Sequence, residues 1–172
     1  MNTRLLVQCG LVSALIAVTA CISLPFAVPF TMQTFGVFSA LLILGGKYGT
    51  LSILIYVFLG IIGLPVFAGF KGGINVLLSP LGGFIISFIL MGLIYSFVTH
   101  KFGTKPNVQL AGLIIGLAVC YFSGTMWYIL FCKTDFMTSL SACVLPFIIP
   151  DAIKIHLSFA LVNQLRKLRI VP

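Results

Sequence analysis

Six apolar stretches, at roughly 5–24, 31–46, 50–65, 77–99, 109–131 and 147–165, fill most of this 172-residue chain. Proline, glycine or charge clusters separate them, as helix ends require. A helix needs about 20 apolar residues to cross a bilayer, so the length admits roughly six crossings with short loops and no room for a soluble domain. The expected fold is an all-α membrane protein, about six transmembrane helices in one bundle, with residues 1–172 as a single integral membrane domain. Composition agrees: 60% of the residues are hydrophobic, 7% are charged, and mean hydropathy is +1.24.

The net charge of +8 would point a soluble chain toward nucleic acid. Here the basic residues orient the protein instead, and no nucleic-acid partner is expected. With a cytoplasmic N-terminus, Arg4, Lys47, Lys101, Lys105, Arg166, Lys167 and Arg169 fall inside and only Lys71 and Lys133 outside. That asymmetry satisfies the positive-inside rule, so both termini are expected in the cytoplasm. Arg4, an apolar run and Val18-Thr19-Ala20-Cys21 also resemble a lipoprotein cleavage site. Cleavage would leave an odd number of spans and move one terminus against the charge pattern, so the segment is read as the first span.

Lys154 is the one basic residue within a span, and Asp151 is one of only two acids in the chain, with Asp135. They stand three residues apart in Leu145-Pro146-Phe147-Ile148-Ile149-Pro150-Asp151-Ala152-Ile153-Lys154, and on a helix they share one face. A proline suits a first helical turn, so the helix is expected to start near Pro150, placing Asp151 where the dipole favours a negative charge. A charge at membrane depth costs on the order of 2.5–3.5 kcal/mol on insertion scales, which makes such a pair a functional-site hypothesis. A structural ion pair without a ligand is the alternative.

Other segments supply the surroundings. The first span carries small residues at four-residue steps, Gly10/Ala14 and Ser13/Ala17/Cys21, suited to close helix approach within the bundle or to a partner. Leu24-Pro25-Phe26-Ala27-Val28-Pro29-Phe30 is an apolar, extended connection that could cover a site. Gln33 follows, a polar amide expected to find a partner or a ligand. Gly45-Gly46-Lys47-Tyr48-Gly49 is a tight turn. The connection from Gly63 through Phe67, Lys71, Gly72, Gly73 and Asn75 is too long and apolar for an exposed turn, and such backbone is tolerated at membrane depth where it lines a cavity or is buried in protein. Gly82-Gly83 allow close backbone approach. Tyr121, Gly124 and Trp127 share a side of the fifth span, with Trp127 expected as an interfacial anchor or a stacking wall. The five cysteines lack metal or disulfide spacing. No GxxxxGK[ST] occurs, so ATP would have to be used by a partner.

Together, Gly63-Leu64-Pro65-Val66-Phe67-Ala68-Gly69, the Gly72-Gly73 and Pro80-x-Gly82-Gly83 pairs and the 145–154 block resemble the BioY family, the biotin-binding S components of energy-coupling factor (ECF) transporters. The likeness covers nearly the whole chain. It implies a multi-pass protein of the bacterial cell membrane that takes up biotin from outside and associates with a transmembrane coupling subunit and two ATPases, with biotin as cargo and no cofactor. The family motif makes Asp151 and Lys154 the polar contacts of the ligand, and Lys71, Gln33, Phe67, Gly73, Trp127 and Tyr121 complete the candidate set. Lys71 and Phe84 depart from the family's usual asparagine and tyrosine.

Biotin's chemistry matches these residues. Its ureido N–H groups suit a carboxylate, its ureido oxygen an ammonium, and its apolar body an aromatic wall. Asp151 is expected at the ureido nitrogens, and Lys154 either donates to a ligand oxygen or holds Asp151 ionised. An enzyme would need a nucleophile, an acid–base pair or a metal cluster, whereas His100 reads as a loop residue and His156 as a helix-face histidine. A channel would not require one asymmetric Asp/Lys site. Action alone, as a homo-oligomer or with the ATPase module are all compatible with the sequence.

Overall fold

The computed structural model describes residues 3–24 and 30–168. The central part of the proline-rich connection, 25–29, and Arg169 of the basic tail lie outside the described residues. The elements are α1 (Thr3–Cys21), β1 (Ser23–Leu24), β2 (Phe30–Thr31), α2 (Gln33–Ile61), α3 (Ile74–Leu77), α4 (Gly82–Phe102), α5 (Pro106–Cys132), α6 (Phe136–Cys143) and α7 (Leu145–Lys167). β1 and β2 form a short antiparallel ribbon pairing Ser23 with Thr31.

The expected second and third spans are the two arms of α2, which breaks at Gly45, where φ is 73° and ψ 176°. A straight helix would hold Gln33 and Tyr56 about 34 Å apart, at 1.5 Å per residue. Instead the Gln33 Nε2 donates to the Tyr56 hydroxyl at 2.8 Å, and a Cβ on Gly49 would strike the backbone of Ala40 and Leu41. The arms are therefore antiparallel, and only a glycine enters that positive-φ turn without strain. With α1, α4, α5 and α7 they make the expected bundle of six helical segments.

The helices are apolar on all sides, as expected of segments that meet lipid outside and each other inside. Leu130 and Leu11 are 79% and 67% exposed, while Ile16, Phe38, Ile53 and Met91 are fully buried. Small residues bring α4 and α5 together: Gly112 meets Tyr95, Gly116 meets Met91, Gly83 meets Trp127 and Gly124 meets Phe84. In α1 the two small-residue rows part. Ser13 is buried and donates to the Ser52 carbonyl at 2.8 Å, Ala17 packs against the core, and Gly10 and Ala14 face outward.

Two expectations at the far end of the chain are corrected. The last helix starts at Leu145 rather than near Pro150, with Pro146 in its first turn and Pro150 in its interior. Asp151 thus lies beyond the first turn, where the dipole fades, and its charge must be balanced by side chains. The segment before it carries α6, capped by Asp135, whose carboxylate accepts from the Thr138 amide at 3.0 Å. Hydrogen bonds from Thr138 hold the exposed Asp135 carboxyl below its ordinary pKa.

Candidate ligand site

A cavity of about 280 Å³ opens at the end of the bundle that carries β2, the 62–73 connection, α3, α6 and the start of α7. Its wall is mainly apolar: Phe67, Phe84, Phe88, Leu117 and Phe147, with Cys120 and Cys143. The polar groups are few, which is the usual plan of a small-molecule site.

The deepest of them are Asp151 and Lys154, 2% and 3% exposed. The Lys154 ammonium lies 2.8 Å from Asp151 Oδ1. It also donates to the Thr31 carbonyl at 2.7 Å and to Thr34 Oγ1 at 3.0 Å. The Thr34 hydroxyl in turn donates to Asp151 Oδ1 at 2.8 Å, and the Tyr121 hydroxyl donates to Oδ2 at 2.6 Å. An ammonium has three N–H donors and a carboxylate about four acceptor positions. All three donors of Lys154 are taken. Oδ1 accepts twice and Oδ2 once, leaving one acceptor position on Oδ2.

Of the two roles read for Lys154, this geometry supports holding Asp151 ionised, since a donation to a ligand oxygen would break one of its bonds. A buried charge is costly without partners, and Lys154 with the two hydroxyl donors supplies them to the Asp151 carboxylate in an apolar cavity. The Phe30 ring, 4.5 Å from the ammonium and stacked 6.2 Å from Phe147, covers the pair from one side.

Gln33, Phe67, Lys71 and Tyr121 also line the cavity. Gln33 is buried and bonded to Tyr56, and the Tyr56 ring meets Phe67 edge-on at 5.6 Å. The 62–73 connection folds into a tight bend: the Phe67 amide donates to the Lys71 carbonyl at 2.9 Å, and Gly69 and Phe70 between them take positive φ. Gly73 and Trp127 stand behind the wall rather than in it. The Gly73 amide donates to the Gly60 carbonyl at 2.7 Å, tying the connection to α2. Trp127 Nε1 donates to the Ser79 carbonyl at 2.9 Å, and its side chain abuts Gly83. It clamps the 79–83 turn to α5 instead of stacking in the cavity. Phe84 lines the wall over Gly124.

Thr31, Thr34 and Asn75 escaped the sequence reading. Thr34 stands 117 residues before Asp151, and a threonine inside an apolar run carries no signal of a partner that distant. Asn75, after Gly72-Gly73, stands in a segment read as irregular and apolar, without being singled out as a site residue. His100 and His156 are exposed on helices.

The BioY family profile matches residues 1–170. The biotin transporter BioY of Thermotoga maritima is 39% identical over 170 residues, covering 97% of this chain and 98% of that protein. A probable biotin transporter BioY of Pyrococcus horikoshii is 42% identical over 154 residues, covering 89% and 90%. Among solved structures, the S-component for biotin from an ECF-type ABC transporter, a crystal structure at 2.1 Å, superposes with a TM-score of 0.87 at 29% identity over 96% of this chain and 92% of that one.

Proposed function

Because this chain belongs to the BioY family, we propose that it is the substrate-specific component of an ECF-type ABC transporter, capturing biotin and carrying it across the membrane. It is a transporter component and not an enzyme. The observation that carries the biotin reading is the open acceptor position on Asp151 Oδ2, in an apolar cavity where the neighbouring Lys154 ammonium has all three donors engaged. A ureido N–H fills that position, and the bicyclic ring and aliphatic chain lie against Phe67, Phe84, Phe88 and Phe147. Biotin is cargo, and no cofactor takes part.

The cavity faces the outside, and both termini are cytoplasmic. Supporting this, the charged side chains at the cavity end are, among the described residues, the Asp151/Lys154 pair, Lys71, Lys133 and Asp135. The opposite end, where Cys9 meets Tyr48 and Gly46 meets Ser96, gathers Arg4, Lys47, Lys101, Lys105, Arg166 and Lys167. The protein sits in the cell membrane, and its energy comes from two ATPases joined through a transmembrane coupling subunit. The outward Gly10/Ala14 face of α1 is the contact for that subunit. Replacing Ala14 by tryptophan is expected to abolish ATP-dependent uptake and leave biotin binding intact.

The deciding experiment is a titration of purified protein in lipid nanodiscs with biotin, desthiobiotin and an unrelated vitamin. Saturable binding of biotin in preference to the unrelated vitamin is expected. Equal or absent binding of all three would overturn the assignment.

A further inference from the structure

Lys71 is charged, exposed and part of the cavity wall, yet the chain has almost nothing to pair it with. The only acidic side chains in the sequence are Asp135 and Asp151. Asp151 is engaged by Lys154, Thr34 and Tyr121, and Asp135 caps α6. The charged groups on the cavity wall are therefore one carboxylate and two ammoniums, Asp151, Lys154 and Lys71, a net charge of +1. The two ends of the site also differ in kind. At the deep end the Lys154 ammonium has all three donors engaged; the exposed end has an ammonium on a backbone bend fixed by the paired Phe67 and Lys71 amides.

We infer that Lys71 binds the carboxylate of the ligand and so fixes which way round it enters, with the neutral ureido ring at Asp151 and the acid at the mouth. The inference rests on the biotin reading above. A carboxylate placed at the deep end would face the like charge of Asp151 with the Lys154 ammonium already engaged, whereas at Lys71 it neutralises the remaining charge of the cavity. The bend fixes the base of the Lys71 side chain at the cavity wall, because both backbone groups of Lys71 are engaged: its amide with the Phe67 carbonyl and its carbonyl with the Phe67 amide. The site would thus select an anionic ligand over a neutral one of the same shape.

The test compares biotin with biotinamide, in which an uncharged amide replaces the carboxylate, on wild-type protein, Lys71→Met and Lys71→Arg in nanodiscs. Wild type is expected to prefer biotin by about two- to tenfold, the range from an exposed to a partly desolvated ion pair. That preference should shrink at roughly 1 M salt, where the screening length falls to about 3 Å. Lys71→Met should bind the two ligands equally, and Lys71→Arg should keep the preference. A preference that survives in Lys71→Met would overturn the inference, because the acid would then be read elsewhere. Equal weakening of both ligands in Lys71→Met would also overturn it, leaving Lys71 a role in the shape of the bend. Failure of wild type to bind either ligand would instead overturn the biotin reading, and the inference with it.

Discussion

The two ends of the bundle use the same polar side chains in opposite ways. At the basic end hydroxyls serve backbone carbonyls: Ser13 bonds the Cys9 and Ser52 carbonyls, Thr50 the Gly46 carbonyl, Ser52 the Tyr48 carbonyl and Thr99 the Tyr95 carbonyl. These bonds satisfy backbone groups of their own helix and, at Ser13, tie α1 to α2. At the cavity end the hydroxyls of Thr34 and Tyr121 reach across helices to one carboxylate. Buried polar groups need partners at both ends. At the cavity end one acceptor position on Asp151 Oδ2 is left open toward the cavity, and that position is what a ligand completes.

The largest effects are expected from breaking the pair itself. Lys154→Met strands Asp151 as a buried carboxylate, a loss of roughly 3–5 kcal/mol when one member of a buried pair is removed. It should lower both folded yield and biotin affinity. Asp151→Asn turns an acceptor-only group into a mixed donor and acceptor, and biotin affinity should fall on the order of tenfold to a hundredfold. The double variant should recover much of the stability and none of the binding, as read by thermal unfolding and titration side by side. Wild-type affinity in Asp151→Asn, or in the double variant, would make the pair structural and remove the contrast between the ends.

Next come the hydroxyls that hold the pair. Thr34→Val removes a donor to Asp151 and an acceptor for Lys154 in one step, and affinity should drop by roughly tenfold; Tyr121→Phe removes one donor and should cost about three- to tenfold. If both variants bound biotin like wild type while Asp151→Asn did not, the carboxylate would be acting without its supports.

How far this could be read in advance follows from sequence distance. Asp151 and Lys154 are three residues apart in an apolar block, so their meeting is dictated by one helical turn. Gly45-Gly46 before a lysine announced the hairpin of α2. The supports of the pair are another matter. Thr31 and Thr34 reach Lys154 across 123 and 120 residues, and nothing local distinguishes them from Thr50, which bonds its own helix. Trp127 was open to two readings because an indole at a span end suits an interface or a wall equally; its bond to Ser79, 48 residues away, depends on a turn whose shape no local pattern dictates. The start of α7 was misplaced because Pro146 and Pro150 both qualify for a first turn, and only the packing of Phe147 against the cavity and Phe30 selects the earlier one.

A smaller effect is expected at the basic end. Ser13→Ala deletes buried bonds, but the groups left behind are backbone carbonyls rather than a charge. The cost is about 0.5–1.5 kcal/mol per bond, visible as a lower unfolding temperature, with biotin affinity unchanged. A loss of affinity in Ser13→Ala would mean that the two ends are coupled and that packing along α1 and α2 reaches the cavity.

The smallest effect belongs to the other acid of the chain. Asp135 and Asp151 lie at the same end, one fully in water and one buried, so Asp135→Asn asks whether a carboxylate there matters by location alone. Hydrogen bonds from Thr138 depress the pKa of Asp135 in the folded protein, so its contribution is present above the unfolded value of about 3.9 and is lost as pH falls through the lower folded value. Wild type should therefore lose stability over that acid window relative to Asp135→Asn, whose amide oxygen still accepts from the Thr138 amide but does not titrate. At neutral pH the two should bind biotin alike, because the cap of α6 is solvated and α6 meets the cavity only through Cys143 near its far end. Thermal unfolding between pH 3 and pH 7 with titrations at neutral pH checks both halves. A biotin affinity that fell with Asp135→Asn would show that the order of α6 sets the cavity wall, and burial would then no longer separate the two carboxylates.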